Sequence, residues 1–355
     1  MKKNRAIVLL AAAWGGLLMT PTANATAPSC TSGPCAWPVS PSNTLLFTKD
    51  SGTDFEPSGL SWAGGYLYIV SDNGKLARVS LGANNNTGKA LDYQDMNKVD
   101  SLVDTDFEGM TSVGGALFLN VEGDESSIMP TIYEYYPNPD PKKSNRLSAG
   151  SNANIGQNWQ LTDLPHNGKR GEGGMEGMTF VPDGKHPFPD STGGFNGLFL
   201  AATQAEKGKG KIYAYDLEQN GTRVMRAGII TESVLKTAAI SALFYSSTYD
   251  TLFVLYDEGY DRKDNNGAFL LQEIRMTPPT GMSSHGTVSQ IFLTQPLSPA
   301  GTVLQGIEGV ALSGHDLFIA IDQKKFEARH NGTCTNDSCS RFTNIVYRYR
   351  HYPQH

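Results

Sequence analysis

A short motif returns five times along the 355 residues of this chain, and that recurrence limits its fold more than any other feature. The copies are Ser58-Gly-Leu-Ser-Trp62, Glu108-Gly-Met-Thr-Ser112, Glu176-Gly-Met-Thr-Phe180, Ser241-Ala-Leu-Phe-Tyr245 and Glu308-Gly-Val-Ala-Leu312. Their starts lie 50, 68, 65 and 67 residues apart. A tight turn is expected after each copy, then an apolar triplet: Leu67-Tyr-Ile69, Leu117-Phe-Leu119, Leu198-Phe-Leu200, Leu252-Phe-Val254 and Leu317-Phe-Ile319. A third run alternates with period two at 76–79, 132–135, 212–215, 271–274 and 346–349, which is the pattern of a β-strand. Weaker fourth runs follow at 89–95, 158–164, 223–230 and 288–294.

Four strands per unit of roughly 65 residues argue against a β-sandwich or an open array of meanders. The fifth unit has no fourth run before His355, and one strand-like run, 45–49, stands unassigned ahead of the first unit. The expectation is an all-β chain: a five-bladed β-propeller of four-stranded blades, with the N-terminal strand closing the last blade. The segment 137–157, with Pro137, Pro139 and Pro141, reads as a loop inside it.

Composition narrows the class. A chain that is 39% hydrophobic is too apolar for disorder, and 38 Gly are too many for a helical bundle. Residues 1–25 read as a secretory signal: Lys2, Lys3 and Arg5, an apolar run 6–19, and the small-residue site Ala23-Asn24-Ala25. Its removal takes the net charge from −6 to −9, so a nucleic-acid partner is not expected. No later run is long enough for a transmembrane helix. The expected organisation is a signal peptide at 1–25, a cysteine-containing segment at 26–44 and a single propeller domain at 45–355, exported to the periplasm or beyond. Cys30, Cys35, Cys334 and Cys339 are an even set in an exported chain and are expected in disulfides, with the connectivity open.

Antiparallel neighbours place the start of each first strand and the end of each second strand at one end of the molecule. Glu108, Glu176 and Glu308 open first strands, while Asp72, Glu122, Asp257 and Asp322 stand three residues beyond the apolar triplets. Glu56 and Asp106 add to the same end. Radial repetition would gather these acids around one axis, where crowded carboxylates repel and call for a counter-charge. Ca²⁺, which takes six to eight oxygen ligands in loose geometry, suits such a set. Zinc or iron would want His or Cys, and His166, His186, His285, His315, His330, His351 and His355 fall in apparent loops, turns or the tail. The rival reading is that Glu-Gly is a folding signature, each Glu capping nearby backbone N–H groups.

The loops after the second strands alternate acids with Lys207, Lys209, Lys211, Arg262 and Lys324, a pattern that suits a small anionic ligand beside a metal or a plain solvated face. No Gly-x-Ser-x-Gly elbow or His-Glu-x-x-His helix is present, which disfavours a serine hydrolase or zinc protease.

The chain resembles the SdiA-regulated and phytase-like (esterase-like) propeller families. The resemblance rests on Ser58-Gly-Leu with Val70-Ser-Asp72-Asn-Gly74, on Asp106-Phe-Glu108-Gly with Val121-Glu122-Gly-Asp124, and on Glu176-Gly-Met and Glu308-Gly-Val. It implies an exported propeller, often with Ca²⁺ at the axis. The fourth copy departs from the pattern, with Ser241-Ala in place of Glu-Gly. Two functional classes stay open. One is a calcium-binding propeller that holds an anionic ligand or protein partner without catalysis. The other is a metal-assisted hydrolase of phosphoesters or esters, with Glu122 or Asp257 as the carboxylate that activates water.

Overall fold

The structure is a computed structural model, and it describes residues 35–36, 43–46, 57–72, 74–80, 89–95, 106–123, 129–137, 155–164, 174–203, 210–221, 223–230, 235, 239–257, 270–276, 288–295, 307–321 and 345–349. Among these residues there are strands and turns but no helix, and therefore no helix able to cross a membrane.

Two short strands come first, β1 (Cys35–Ala36) and β2 (Asn43–Leu46). The first sheet holds β3 (Pro57–Ala63), β4 (Tyr66–Ser71), β5 (Lys75–Ser80) and β6 (Lys89–Asp95). The second holds β7 (Phe107–Val113), β8 (Ala116–Val121), β9 (Thr131–Tyr135) and β10 (Ile155–Gln160). The third holds β11 (Met175–Pro182), β12 (Gly197–Thr203), β13 (Lys211–Leu217) and β14 (Val224–Ile230). The fourth holds β15 (Ala239–Ser246), β16 (Thr251–Asp257), β17 (Leu270–Met276) and β18 (Val288–Gln295), extended by β1 parallel to β18. The last comprises β19 (Ile307–Ser313), β20 (Asp316–Ile321) and β21 (Ile345–Tyr349), completed by β2. Apart from β1 with β18, every pairing is antiparallel between strands adjacent in the sheet.

Each strand triplet carries the expected burial. Leu67, Ile69, Leu117, Leu119, Leu198, Leu200, Leu252, Val254, Leu317 and Ile319 are all fully buried. They pack between sheets. Leu60, Ile69 and Ala77 share a core with Ala311, Phe318 and Val346, so the first sheet packs on the last. Comparable cores join the first sheet to the second, the second to the third, the third to the fourth and the fourth to the fifth. The first strands touch in the same succession, β3 with β7, β7 with β11, β11 with β15, β15 with β19, and β19 with β3. Removing a Leu or Phe side chain of this kind from water stabilises by about 1.5–3 kcal/mol.

Three differences from the sequence expectation have physical causes. The strand expected at 45–49 is Asn43–Leu46, in register with β21 from Asn43↔Arg348 to Leu46↔Ile345. The outer strand expected at 158–164 is Ile155–Gln160, because Trp159 is its buried anchor and Leu161 already turns away, its N–H bonded to Pro130 O at 2.8 Å. The tight turn expected after the third motif copy is instead an excursion of fourteen residues, 183–196, between β11 and β12.

Residues 1–25 and Cys30, Cys334 and Cys339 lie outside the described residues, and of Cys35 only the strand position is described. The expected disulfides therefore fall outside them too.

Candidate metal centre

A register slip marks the start of each first strand. The ladder to the second strand shifts between Phe107 and Gly109, Met175 and Gly177, Ile240 and Ala242, and Ile307 and Gly309. The residues left out of the ladder are Glu108, Glu176, Ser241 and Glu308. In the first sheet the slip spans Pro57 to Leu60, around Ser58. A β-bulge bends the strand and re-aims the extra side chain, and bulges gather beside functional sites for that reason.

Where a glycine follows the bulged residue it has a separate task. A Cβ on Gly59 would stand 2.8 Å from Gly109 Cα, one on Gly109 2.7 Å from Met178 N, and one on Gly177 2.8 Å from Leu243 N. A Cβ on Gly309 would stand 2.7 Å from Ser58 O. First strands thus approach backbone to backbone at these glycines, which brings the bulged residues of successive sheets side by side. Glu108, Glu176 and Glu308 are all buried there.

One sheet converts this arrangement into a ligand set. Asp106, Glu108 and Glu122 each offer a carboxylate oxygen, and the three oxygens lie within 4.8 Å of one another. The hairpin of β7 and β8 makes the placement. Phe107 pairs with Val121, and the Glu122 N–H donates to Asp106 O at 3.0 Å, so the residues flanking that pair are held together. The third sheet fixes the other side. Met175 N–H donates to Glu122 O at 3.1 Å, and Asn120 Nδ2 donates to Met175 O at 2.7 Å. Gly174 lies against the Glu122 side chain so closely that a Cβ there would collide with it. Glu108 is buried, whereas Asp106 and Glu122 are half-buried, so the cluster has a floor and an open side.

An oxygen-only set with this much negative charge fits a hard divalent cation of the Ca²⁺ type and offers no nitrogen or sulfur to zinc or iron. Of the acids expected in the site, Glu108 and Glu122 are brought together, with Asp106. Asp72 follows β4 and is half-buried, and Glu176 and Glu308 hold the equivalent bulge positions, but among the described residues none joins a group as tight. Asp257 ends β16, with its backbone alone described. Asp322, Lys207, Lys209, Arg262 and Lys324 lie outside the described residues, and Lys211 opens β13 half-buried.

Two residues, one beside this cluster and one away from it, were not singled out by sequence reasoning. Asn120 is a fully buried polar residue inside the apolar strand β8, and a polar residue in such a run is itself the signal of a cross-sheet bond. His186, grouped with loop histidines of no recurring position, is fully buried and lies within 4.8 Å of Asp183 and Asp190 ligand atoms, at the other end of β11 from Glu176.

These features define an all-β, multi-sheet protein of propeller-like plan with an acidic cluster that could hold a metal ion. The family model described as phytase-like, esterase-like activity of phytase, matches residues 51–239, more than half of the chain, and the chain belongs to that family. None of the curated proteins compared matches it in sequence. Among solved structures it is similar to the glutaminyl cyclase of Myxococcus xanthus, at 11% identity over 78% of this chain and 90% of that one, with a TM-score of 0.43. It is also similar to the WD40 repeats of RRP9, at 9% identity over 88% of this chain and 99% of that one, with a TM-score of 0.39. Likenesses at this level do not extend to activity.

Proposed function

We propose that the five sheets are the blades of a closed five-bladed β-propeller, exported from the cell, whose Asp106, Glu108 and Glu122 hold Ca²⁺ and present it to an anionic ligand or the acidic surface of a protein partner. The observation that carries this reading is the carboxylate cluster itself, three oxygens within 4.8 Å with a buried floor and a half-exposed rim. Closure is supported by the packing of β19 on β3 and by the core shared between the last and first sheets. Export is supported by the basic and apolar start of the sequence.

Three carboxylates supply only part of the six to eight oxygens that Ca²⁺ takes, which leaves positions for a ligand. When bound, the ion would neutralise the cluster and polarise a ligand oxygen placed on it. Glu108 would anchor from below, and Asp106 and Glu122 would close the set from the hairpin ends.

The second reading, metal-assisted hydrolysis of phosphoesters or esters, is favoured by the family description, which names an esterase-like activity. In it the half-buried Glu122 would take the proton from attacking water. Calorimetric titration of the EDTA-treated protein with Ca²⁺ tests the shared premise. Glu108→Gln and Glu122→Gln are expected to weaken binding about tenfold or more, and unchanged heats would retire the site. Phosphoester and ester assays with Ca²⁺ or EDTA then separate the readings. Calcium-dependent turnover lost in Glu122→Gln selects the hydrolase, and Ca²⁺ binding with no turnover selects the binding protein.

A further inference from the structure

We propose that the excursion between β11 and β12 carries a second divalent-metal site, of the zinc class, formed by Asp183, His186 and Asp190. It is independent of the calcium reading. The two places lie at opposite ends of β11: the Met175 N–H at its start donates to Glu122 O, and Asp183 follows its last residue.

The loop is built rather than loose. Where the first, second and last sheets join their first two strands through two residues, this one uses fourteen, closed by Asp183 N–H on Asn196 O at 3.0 Å. Asp216 in β13 accepts Thr192 N–H at 2.7 Å, Thr192 Oγ1 at 2.9 Å and Gly193 N–H at 2.9 Å, tying the loop to the sheet. Phe188 packs into space that Gly228 of β14 leaves free. Ser191 donates through N–H and Oγ to the two oxygens of Asp183, each at 2.8 Å, which sets the plane of that carboxylate.

His186 is fully buried in this frame. Its Nδ1 lies 3.1 Å from Phe188 O, and a carbonyl only accepts, so Nδ1 carries a proton. Nε2 is therefore the nitrogen turned toward the Asp183 carboxylate, 3.3 Å from its Oδ1. In a neutral imidazole its lone pair would face the partly exposed Asp183 carboxylate, which is repulsive unless a cation or a second proton lies between. A ring nitrogen bonded to a backbone carbonyl while the other nitrogen faces acids is the support a metal-ligating histidine ordinarily has. Asp190 completes the group: one atom from each of the three residues lies within 4.8 Å of the others. Asp190 is exposed and accepts the Gly184 N–H at 3.3 Å, so an ion could enter from its side.

Charge points the same way. Lys185, the cation within the loop, reaches Asp250 at 3.1 Å in the turn of the fourth sheet, and among the described residues no Lys or Arg pairs with Asp183 or Asp190. Two carboxylates and an imidazole suit Zn²⁺ or a neighbouring transition metal with an open position, in contrast to the all-oxygen cluster at the other end.

The test is calorimetric titration of the full, EDTA-treated chain with ZnCl₂ in saturating Ca²⁺, paired with the visible absorption of Co²⁺ as a probe of nitrogen ligation. The expected result is a single strong equivalent that survives Glu108→Gln and weakens about tenfold or more in Asp190→Asn. Asp190 is exposed, so that variant keeps its fold, and equal melting temperatures of the metal-free proteins check this. His186→Gln should also remove the Co²⁺ band. No stoichiometric Zn²⁺ binding, or binding that Asp190→Asn leaves unchanged, overturns the proposal and leaves a structural histidine–aspartate contact.

Discussion

Charged side chains recur at one level of the third strands, opposite an aromatic in the second strand. Arg78, Glu134, Glu273 and Arg348 face Tyr68, Phe118, Phe253 and Phe318, and all four are buried. Most have strong company. Arg78 lies 5.1 Å over the Tyr66 ring, and Arg348 Nε donates to Asp316 at 2.9 Å. Glu134 accepts from Gln157 N–H at 3.2 Å and from Tyr136 OH at 2.7 Å, and the bond from Tyr136 pushes that phenol up to about 12. Glu273 differs. Its Oε1 has no hydrogen-bond partner, and burial pushes its carboxyl from the ordinary 4.5 to about 8. A carboxyl raised on folding keeps its proton while the unfolded chain gives it up. Its contribution is full below about pH 4.5, falls as pH rises toward 8, and changes no further above that. The span is on the order of 3–5 kcal/mol. Glu273→Gln should therefore flatten the loss of urea stability between pH 5 and pH 8, and a variant with the wild-type slope would reject this assignment. Such residues were not legible in the sequence. Alternation usually means one wet face, whereas these strands are buried on both, so a charge in them reads as solvent-facing when it is not.

At the scale of the element, the bulged Glu-Gly start of β7 couples the site to the contact between sheets. Within the Glu-Gly pair the two residues have different surroundings. The glycine serves the approach of first strands and the glutamate, in one sheet, serves the cluster. The apolar triplets and the period-two third strands were readable because burial on a fixed spacing leaves its mark in residue type. The bulge was not, since a register slip depends on the partner strand. The 183–196 excursion was hidden for a similar reason: prolines and glycines announce a loop, but what His186 packs into is set by distant residues. The fourth sheet has Ala242 where the others have Gly, with β19 as its neighbour. Gly109 has no such latitude, because its Cβ would meet Asn120 Oδ1 and the backbone of Met178 and Gly177. Gly109→Ala is expected to destabilise by about 1–3 kcal/mol, as an overpacked core does, and to weaken Ca²⁺ binding by displacing Glu108. Thermal melting and calcium titration of the one variant read both effects. Lost stability with intact affinity would mean that bulge and cluster are not coupled.

For the molecule as a whole, the N-terminal strands decide what happens at the junction of the last sheet. β2 supplies the outer strand to β21, while β1, two residues long, only extends the fourth sheet beyond β18. Sequence separation of this size carries a loop-closure cost in folding that local hairpins do not, so the pairing of Asn43–Leu46 with Ile345–Tyr349 should form late. Once formed it covers an edge of the strand that holds the buried Val346, Arg348 and Tyr349, against which the first and fourth sheets also pack. Two truncations separate these roles. A chain starting at Ser42 loses β1 alone among the described strands and should melt close to the full chain. A chain starting at Ser51 loses β2 as well and bares a β-edge, which invites association with other chains. We expect it to melt about 5–10 °C lower, the equivalent of roughly 3–5 kcal/mol in a domain of this size, and to elute partly as oligomers. Equal melting temperatures for the two would show that the strand from the N-terminus does not hold the last sheet, and that the junction between β19 and β3 is self-sufficient.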